Sequence, residues 1–211
     1  MRVDNTSQAH AEQIPLGSLC EMTAGPSGSL LDSLNDGPNG VPVLSPPDLA
    51  DDHTVDTRRL RRVPQSEAHR LARFALREGD VLIVRQGTLG RLALIEKAHA
   101  GWLYGSSCLR IRPMRDRIAP AYLVAYLSHP PVQRLMLSQA LPGTVPSLNS
   151  AILREFLVAV PSLDRQYAVA EVLRDIDAQI KIQRQMADQL DALRPAIFGE
   201  LIQGTGDTWR S

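Results

Sequence analysis

The chain has 211 residues, of which 44% are hydrophobic and 22% charged, and its formal net charge is zero. This composition is that of a globular protein with a buried core, and it excludes wholesale disorder. No apolar run approaches the roughly 18 residues of a membrane span, and Cys20 and Cys108 lack CxxC spacing. We therefore expect a cytoplasmic protein without a membrane anchor, a cysteine-based zinc ribbon or a disulfide scaffold.

The first 160 residues predict short strands and helices separated by turns. Alternating apolar residues and β-type runs predict strands, in chain order, at 14–22, 81–84, 91–97, 108–113 and 157–160, with a short apolar run at 41–44. Helical spacing predicts helices at 67–76, with Ser66 as its N-cap, at 119–129 and at 131–140. The Gly- and Pro-rich stretch 24–40 predicts a long loop, and residues 86–90 predict a turn between two strands.

Residues 164–203 predict one long helix. Apolar side chains recur at alternating steps of four and three from Val169 to Leu201, with breaks at Gln183 and Arg194, which is a heptad pattern typical of coiled coils. At 1.5 Å per residue this helix would extend roughly 58 Å, so most of it cannot pack on the preceding residues. An amphipathic helix folded back on that domain is the alternative. Pro195 lacks an amide proton and crowds the carbonyl of Asp191, which predicts a kink or break.

These patterns together predict an α+β fold: a mixed α/β domain over 14–160, followed by a long C-terminal coiled-coil helix over 164–203.

The charge is unevenly distributed along the chain. Residues 1–56 carry a net charge of −8, residues 57–117 carry +9, and residues 118–211 carry −1. Codon usage in a GC-rich genome explains why 21 of the 23 basic residues are Arg, but it does not explain their concentration in the middle third. A basic centre favours a protein with a nucleic-acid face and other faces for protein partners.

Motifs for catalysis are mostly absent from the sequence. Ser45-Pro46-Pro47-Asp48 is similar to the Pro-Pro motif of DNA amino-methyltransferases, but Asp48 replaces its aromatic residue, so we interpret it as a turn. Neither Lys97 nor Lys181 stands two residues after an acid, as a PD-(D/E)xK nuclease requires. No phosphate-binding GxxxxGK(S/T) loop is present, and the five His lack metal-ligand spacing. We therefore predict no catalytic residue, metal or cofactor.

Four stretches in order resemble one known family. Residues 76–90 resemble the L-x-x-G-D-h-L…G-x-x-G block (h, hydrophobic) of target recognition domains in specificity subunits of type I restriction–modification systems. Residues 119–127 resemble the family's P-x-Y-L helix, residues 143–149 its Gly-to-Leu turn, and residues 157–166 its h-x-h-P-x-L-x-x-Q entry to a long helix. The resemblance covers most of residues 14–204, and the shared order and spacing are more specific than any single motif.

The resemblance implies a non-catalytic specificity subunit. Such a subunit reads double-stranded DNA at a bipartite target and holds a separate adenine methyltransferase subunit, and a translocating restriction subunit joins for cleavage. Family members normally carry two domain-plus-helix units, whereas this chain has one and looks like a half-subunit. We therefore expect a homodimer through antiparallel C-terminal helices.

Under this hypothesis two groups of side chains form the candidate sites. Basic and polar residues in loops and on one strand suit phosphates and base edges: Arg58, Arg59, Arg61, Arg62, Arg85, Gln86, Thr88, Arg110, Arg112, Thr144, Ser147 and Asn149. The first four have no acid among them and should repel one another unless an anion is near. The candidate dimer or partner interface follows the heptad seam: Leu173, Ile176, Ile180, Gln183, Ala187, Leu190, Ile197 and Leu201.

Two other classes of function stay open from the sequence. One is a coiled-coil adaptor or scaffold without DNA binding, which steeply salt-dependent retention on heparin would argue against. The other is an unrecognised enzyme that uses a pocket around Asp80 and Arg85, which would modify DNA without a partner.

Overall fold

In the computed structural model, residues 11–26, 34–35, 37–141, 143 and 146–204 are described. The strands within these residues are β1 (Glu12–Pro15), β2 (Cys20–Ala24), β3 (Val41–Leu44), β4 (Arg61–Val63), β5 (Val81–Val84), β6 (Leu92–Leu94), β7 (Leu103–Tyr104), β8 (Cys108–Pro113) and β9 (Leu157–Val160). The α-helices in the same part of the chain are α1 (Gln65–Arg70), α2 (Pro120–Ser128), α3 (Pro130–Ser138), α4 (Ser150–Glu155) and α5 (Leu163–Gly204).

A four-stranded antiparallel sheet in the order β2-β8-β5-β6 lies at the centre of the first 170 residues. Every residue of β5 is buried, and the side chains alternate between two hydrophobic cores. Val81 and Ile83 belong to the first core, which includes Leu123 of α2 and Met136 of α3. Leu82 and Val84 belong to the second core. A short, continuous apolar strand is the sequence signature of a sheet covered on both faces.

The second core also contains the inner side chains of a smaller sheet, ordered β4-β3-β7. Strands β3 and β4 are antiparallel, with Val43 opposite Arg61, whereas β3 and β7 run parallel. Strands β1 and β9 form a separate antiparallel pair in which Glu12 lies opposite Val160. The observed mixture of sheets and helices, followed by a long helix, confirms the predicted α+β class.

Several predicted boundaries are wrong for local reasons. The strand expected over 14–22 is interrupted by a single 3-10 turn at Leu16–Ser18, where the Leu16 amide donates to Phe156 instead of a neighbouring strand. Helix α1 begins at Gln65 with Pro64, not Ser66, at its N-cap. It ends at Arg70, and a 3-10 turn follows at Ala72–Phe74 before the Leu76 amide donates to the Trp102 carbonyl at 2.8 Å.

Three elements were not expected from the sequence: β4, β7 and α4. The two strands contain three and two residues, and α4 contains six, so each is too short for periodicity to identify. Strands of this length form because neighbouring strands satisfy their backbone groups. Strand β6 is also shorter than predicted, and the amide of its last residue, Leu94, donates to the His53 carbonyl at 3.0 Å.

The chain divides into two compact units, with the boundary after Ala170, inside α5. The first turn of α5 is fastened to the first unit by the buried side chain of Gln166. Its Oε1 accepts from the Ala119 amide at 2.8 Å, and its Nε2 donates to the carbonyls of Pro161 and Arg117 at 2.9 and 3.2 Å. The boundary predicted from the sequence, between 160 and 164, lies about two to three helical turns earlier. The roles assigned to the two parts stay predictions.

The sequence predicts a kink or a break at Pro195, and helix α5 continues through Pro195 to Gly204, so a break there is wrong. A proline removes one backbone donor, and the hydrogen bonds of the neighbouring turns can keep a long helix continuous across that position. In the described part of the chain, no helix has both the length and the apolar character needed to cross a membrane.

Candidate nucleic-acid interface

The turn between β5 and β6 is held in one conformation by its glycines and by α3. Gly87 and Gly90 have φ angles of 91° and 78°, a region that side chains with a Cβ rarely adopt. A Cβ on Gly90 would also lie 3.1 Å from Cδ2 of Leu137. Gln133 of α3 donates from Nε2 to the Gly90 carbonyl at 3.1 Å. The predicted turn is therefore confirmed, and tertiary contacts define its shape.

A second loop reaches this turn from a distant part of the chain. Gln86 and Ser147 form an antiparallel backbone bridge, and the Leu148 amide donates to the Arg85 carbonyl at 3.0 Å. The candidate residues of the β5–β6 turn and those around Ser147, which are about 60 residues apart in sequence, therefore lie side by side. Asn149 caps α4, because its Oδ1 accepts from the Ile152 amide at 2.9 Å. Thr144 lies outside the described residues.

The β5–β6 turn forms one wall of a shallow cleft of about 650 Å³, which we call the turn cleft. Its lining combines two proline rings with polar side chains: Pro46, Pro47, Gln86, Gly87, Thr88, Arg91 and Ser107. The prolines belong to a 3-10 turn in which the buried Asp48 carboxylate accepts from Oγ and the amide of Ser45, at 2.6 and 2.8 Å. These bonds confirm that Ser45–Asp48 is a turn. The sequence reading missed Arg91 and Ser107, although Arg91 directly follows the turn.

The arginine cluster at 58–62 does not form one surface. Arg61 and Arg62 are successive residues of β4, so their side chains point to opposite faces of the strand. The half-buried Arg62 donates from Nη1 to the Gly40 carbonyl at 3.1 Å. Arg58 and Arg59 are exposed in the preceding turn. The exposed face of the cluster therefore contains Arg58, Arg59 and Arg61.

Arg58 has a carboxylate partner that the sequence reading overlooked. Its guanidinium pairs with both oxygens of Asp56, with Nη2 to Oδ2 at 2.5 Å and Nε to Oδ1 at 2.9 Å. The side-chain hydrogen bond from Arg58, followed by that from the Arg58 amide, lowers the pKa of Asp56 from 3.8 to about 2. The expectation that no acid lies near this cluster was wrong.

The Asp56–Arg58 pair predicts a carboxyl titration far below the ordinary range. Because the folded-state pKa is lowered, the pairing is complete above pH 3.8 and is lost as the pH falls through about 2. In NMR spectra of the labelled chain, we expect the Asp56 carboxyl carbon to titrate near pH 2. In Arg58→Ala its midpoint should return close to 3.9. An Asp56 midpoint that is the same in both proteins would contradict the pairing.

Arg110 and Arg112 are structural residues of the central sheet. Only 5% of Arg110 is exposed, and its guanidinium donates to Oγ1 of Thr23 at 3.1 Å and to the Arg73 carbonyl at 3.3 Å. Arg112 binds both oxygens of Asp80 at 2.7 Å, which raises the pKa of its guanidinium. Both side chains lie on the face of the sheet that packs against the second core. The alternating pattern of β8 could not show that this face is buried. We therefore remove them from the candidate DNA contacts.

The same ion pair argues against the enzyme alternative around Asp80. Asp80 is 1% exposed, and its Oδ2 also accepts from the Arg77 amide at 2.8 Å.

The cysteines do not provide a nucleophile. Burial raises the pKa of the Cys20 and Cys108 thiols to about 12, so neither provides a thiolate near neutral pH. Both cysteines are free. Across the described ranges, no three His, Cys, Asp or Glu side chains form a group that could hold a metal ion.

The heptad seam on α5 is an exposed apolar row within one chain. Leu173, Ile176, Ile180, Leu190 and Ile197 are between 38% and 64% exposed. Gln183 and Ala187 lie in the same row and are exposed, and nothing is described of the Leu201 side chain. Isolated exposed apolar residues are common, but a continuous row of this length is typical of an interaction surface.

The described residues form an α+β domain with a shallow cleft lined by loop residues, followed by a long helix with an exposed apolar row. Residues 10–192 match the family of the type I restriction modification DNA specificity domain. This match includes most of the chain, so the chain belongs to that family, and the resemblance seen in the sequence is confirmed.

Two curated relatives carry the name of specificity subunits. The chain is 24% identical over 156 residues to the type I restriction enzyme MjaX specificity subunit of Methanocaldococcus jannaschii, which covers 71% of this chain and 36% of the relative. It is 24% identical over 139 residues to the EcoBI specificity subunit of Escherichia coli, which covers 66% of this chain and 28% of the relative. Both names agree with the family resemblance seen in the sequence.

Solved structures share the fold. A chain from a type I restriction–modification system, solved to explain complex assembly and conformational transition, aligns over 93% of this chain with a TM-score of 0.68 and 21% identity. The HsdS subunit of Thermoanaerobacter tengcongensis aligns over 88% with a TM-score of 0.58 and 18% identity. The alignments cover 46% and 42% of those two chains. This chain therefore spans about a third of its curated relatives and just under half of the solved ones.

Proposed function

We propose that this chain is the DNA-recognition part of a type I restriction–modification complex and directs a separate adenine methyltransferase subunit to a bipartite DNA target. Membership of the specificity-domain family is the observation that carries this proposal. The turn cleft supports it, because two loops from different parts of the chain present amide, hydroxyl and guanidinium groups together. These groups are the ones that read base edges in the major groove.

The proposed base contacts and phosphate contacts follow from the chemistry of the side chains. Gln86 can bond bidentately to adenine and Arg91 to guanine, while Thr88 and Ser147 bond to either kind of base. Arg58, Arg59 and Arg61 contact phosphates, which position the duplex without reading its sequence. Arg85 directly precedes the cleft-lining Gln86, and its buried Nε lacks a hydrogen-bond partner within the described residues. Its position beside Gln86 keeps it a candidate contact.

Helix α5 has the partner role in this proposal. Its seam pairs antiparallel with the seam of a second copy, which supplies the second recognition domain that a bipartite target requires. The methyltransferase subunit docks on the same helices, and a restriction subunit joins for cleavage. The wide apolar face suits more than one helical partner, because Val172, Met186 and Leu193 lie beside the seam and are exposed. The complex acts in the cytoplasm, and this chain itself performs no chemistry.

The proposal predicts a measurable loss of electrostatic affinity. Each phosphate neutralised by a cation contributes roughly 0.9 to the slope of log affinity against log salt concentration. Changing Arg58, Arg59 and Arg61 together to Ala should lower that slope by about 2–3 and weaken binding to all duplexes alike. Fluorescence anisotropy with a labelled random-sequence duplex, measured over a salt series, gives the slope.

A matched variant removes the same number of charges from the helix. Arg165, Arg174 and Arg184 are exposed on α5 outside the heptad row, so their change to Ala lowers the net charge equally without altering the arginine cluster. This control should change the slope by much less. Equal slopes for the two triple variants would move the phosphate contacts elsewhere. A wild-type chain that shows no salt-dependent duplex binding would favour the adaptor alternative.

A further inference from the structure

Arg91 of the turn cleft is held by an acid on a neighbouring loop. Its Nη2 lies 3.0 Å from Oδ1 of Asp51. The Asp51 side chain is 84% exposed and that of Arg91 is 34% exposed. The Arg91 amide donates to the Thr88 carbonyl at 3.3 Å, so the backbone of Arg91 is part of the β5–β6 turn. The cleft's strongest hydrogen-bond donor is therefore already paired before DNA arrives.

The loop that carries Asp51 is fastened in place. The Ala50 amide donates to the Thr54 carbonyl at 2.9 Å, and the His53 carbonyl accepts from Leu94 of β6 at 3.0 Å. Asp52 faces a different partner, because its Oδ1 accepts from Oγ1 of Thr54 at 2.5 Å. These bonds hold the backbone of Asp51 next to the cleft while its carboxylate remains exposed to solvent. An exposed ion pair of this kind is weak enough to exchange with another anion.

We propose that Asp51 is a specificity-determining residue that acts through Arg91, as an internal competitor for the acceptor groups of DNA. The inference rests on the proposed function of the turn cleft. When a duplex of arbitrary sequence approaches, Asp51 neutralises Arg91 and repels the nearby phosphates. When a duplex places a base acceptor within reach of Gln86 and Thr88, that acceptor replaces the Asp51 carboxylate. Repulsion that only the correct partner overcomes increases discrimination while it lowers overall affinity.

Removing the Asp51 charge should therefore strengthen binding to random DNA. We expect Asp51→Asn in the full chain to bind a random-sequence duplex of about 30 base pairs roughly two- to fivefold more tightly than wild type. The slope of log affinity against log salt should become steeper by about 0.9, because Arg91 is then available to one more phosphate. Anisotropy titrations at several salt concentrations measure both quantities.

Asp116→Asn is the matched control. Asp116 is exposed and forms no ion pair or hydrogen bond in the described part of the chain, and the substitution changes the net charge by the same amount. It reports the general effect of one lost negative charge. In an Arg91→Ala background, the effect of Asp51→Asn should be well below its effect in the wild-type background, because the residue through which Asp51 acts is absent and only its direct repulsion of phosphates remains.

Selection from a random duplex library measures discrimination directly. Wild type should enrich a sharper sequence motif than Asp51→Asn, while Asp116→Asn should enrich the wild-type motif. Equal effects of Asp51→Asn and Asp116→Asn on the salt slope would overturn the role of Asp51 and leave the proposed function intact. A wild-type chain that binds no duplex in a salt-dependent manner would overturn both.

Discussion

The Ile180→Asp variant should remain monomeric at concentrations where the unmodified chain forms dimers. Ile180 is 42% exposed in a single chain and lies near the middle of the α5 seam. Burying the exposed part of each large seam side chain on pairing contributes about 1 kcal/mol, because full burial is worth about 1.5–3 kcal/mol and these side chains are already about half buried. An aspartate at the same position would lose its water without gaining a partner, which costs more than the lost apolar contact. Sedimentation velocity over a concentration series measures the change.

Gln185→Asp is the control for this experiment, because it introduces the same charge on α5 away from the heptad row. Gln185 is exposed and belongs to the polar side of the helix, so this variant should dimerise like wild type. Gln183 lies close to the midpoint of the seam, where an antiparallel pair would let it bond to its own copy and fix the register. Persistent dimers of Ile180→Asp would exclude the seam. An asymmetric methylated DNA motif in the assembled complex would indicate a different partner instead of a second copy.

The Asp80→Ala variant should lose about 3–5 kcal/mol of unfolding free energy, because it leaves the Arg112 guanidinium half-buried without its counter-ion. The carboxylate of Asp80 accepts two bonds from Arg112 and one from the Arg77 amide, and all three are lost together. Arg112 and Arg110 extend from the same face of β8, so the unpaired charge would lie near a second buried cation. Urea unfolding followed by circular dichroism measures the loss.

The stability control is Asp116→Ala, which removes an exposed carboxylate from the same unit. Its effect should stay within about 0.5 kcal/mol, as for most surface substitutions. A difference of less than 1 kcal/mol between the two variants would show that Asp80 does not hold the sheet. The Gly79-Asp80 pair of the family-like block at 76–90 would then need another explanation. The predicted loss of unfolding free energy would instead assign Asp80 a role in folding.

The sequence could predict features that depend on near neighbours in the chain. The heptad row of α5 repeats every seven residues, and one helix face follows from that period alone. Strand β5 and the glycine turn after it were likewise predicted, because four consecutive apolar residues and Gly87 and Gly90 have few other conformations available. The family motifs belong to the same class of information, since each lies within about fifteen residues.

The tertiary structure alone decided which polar side chains meet. The period of β8 placed Arg110 and Arg112 on one face, but only the second core and Asp80 show that this face is buried. The bridge from Gln86 to Ser147 and the pair of Asp51 with Arg91 join residues 61 and 40 positions apart. The physical reason is that local periodicity orients a side chain relative to its own strand or helix. Contacts across loops depend on how separate elements pack, and the chemistry of the cleft arises from those contacts.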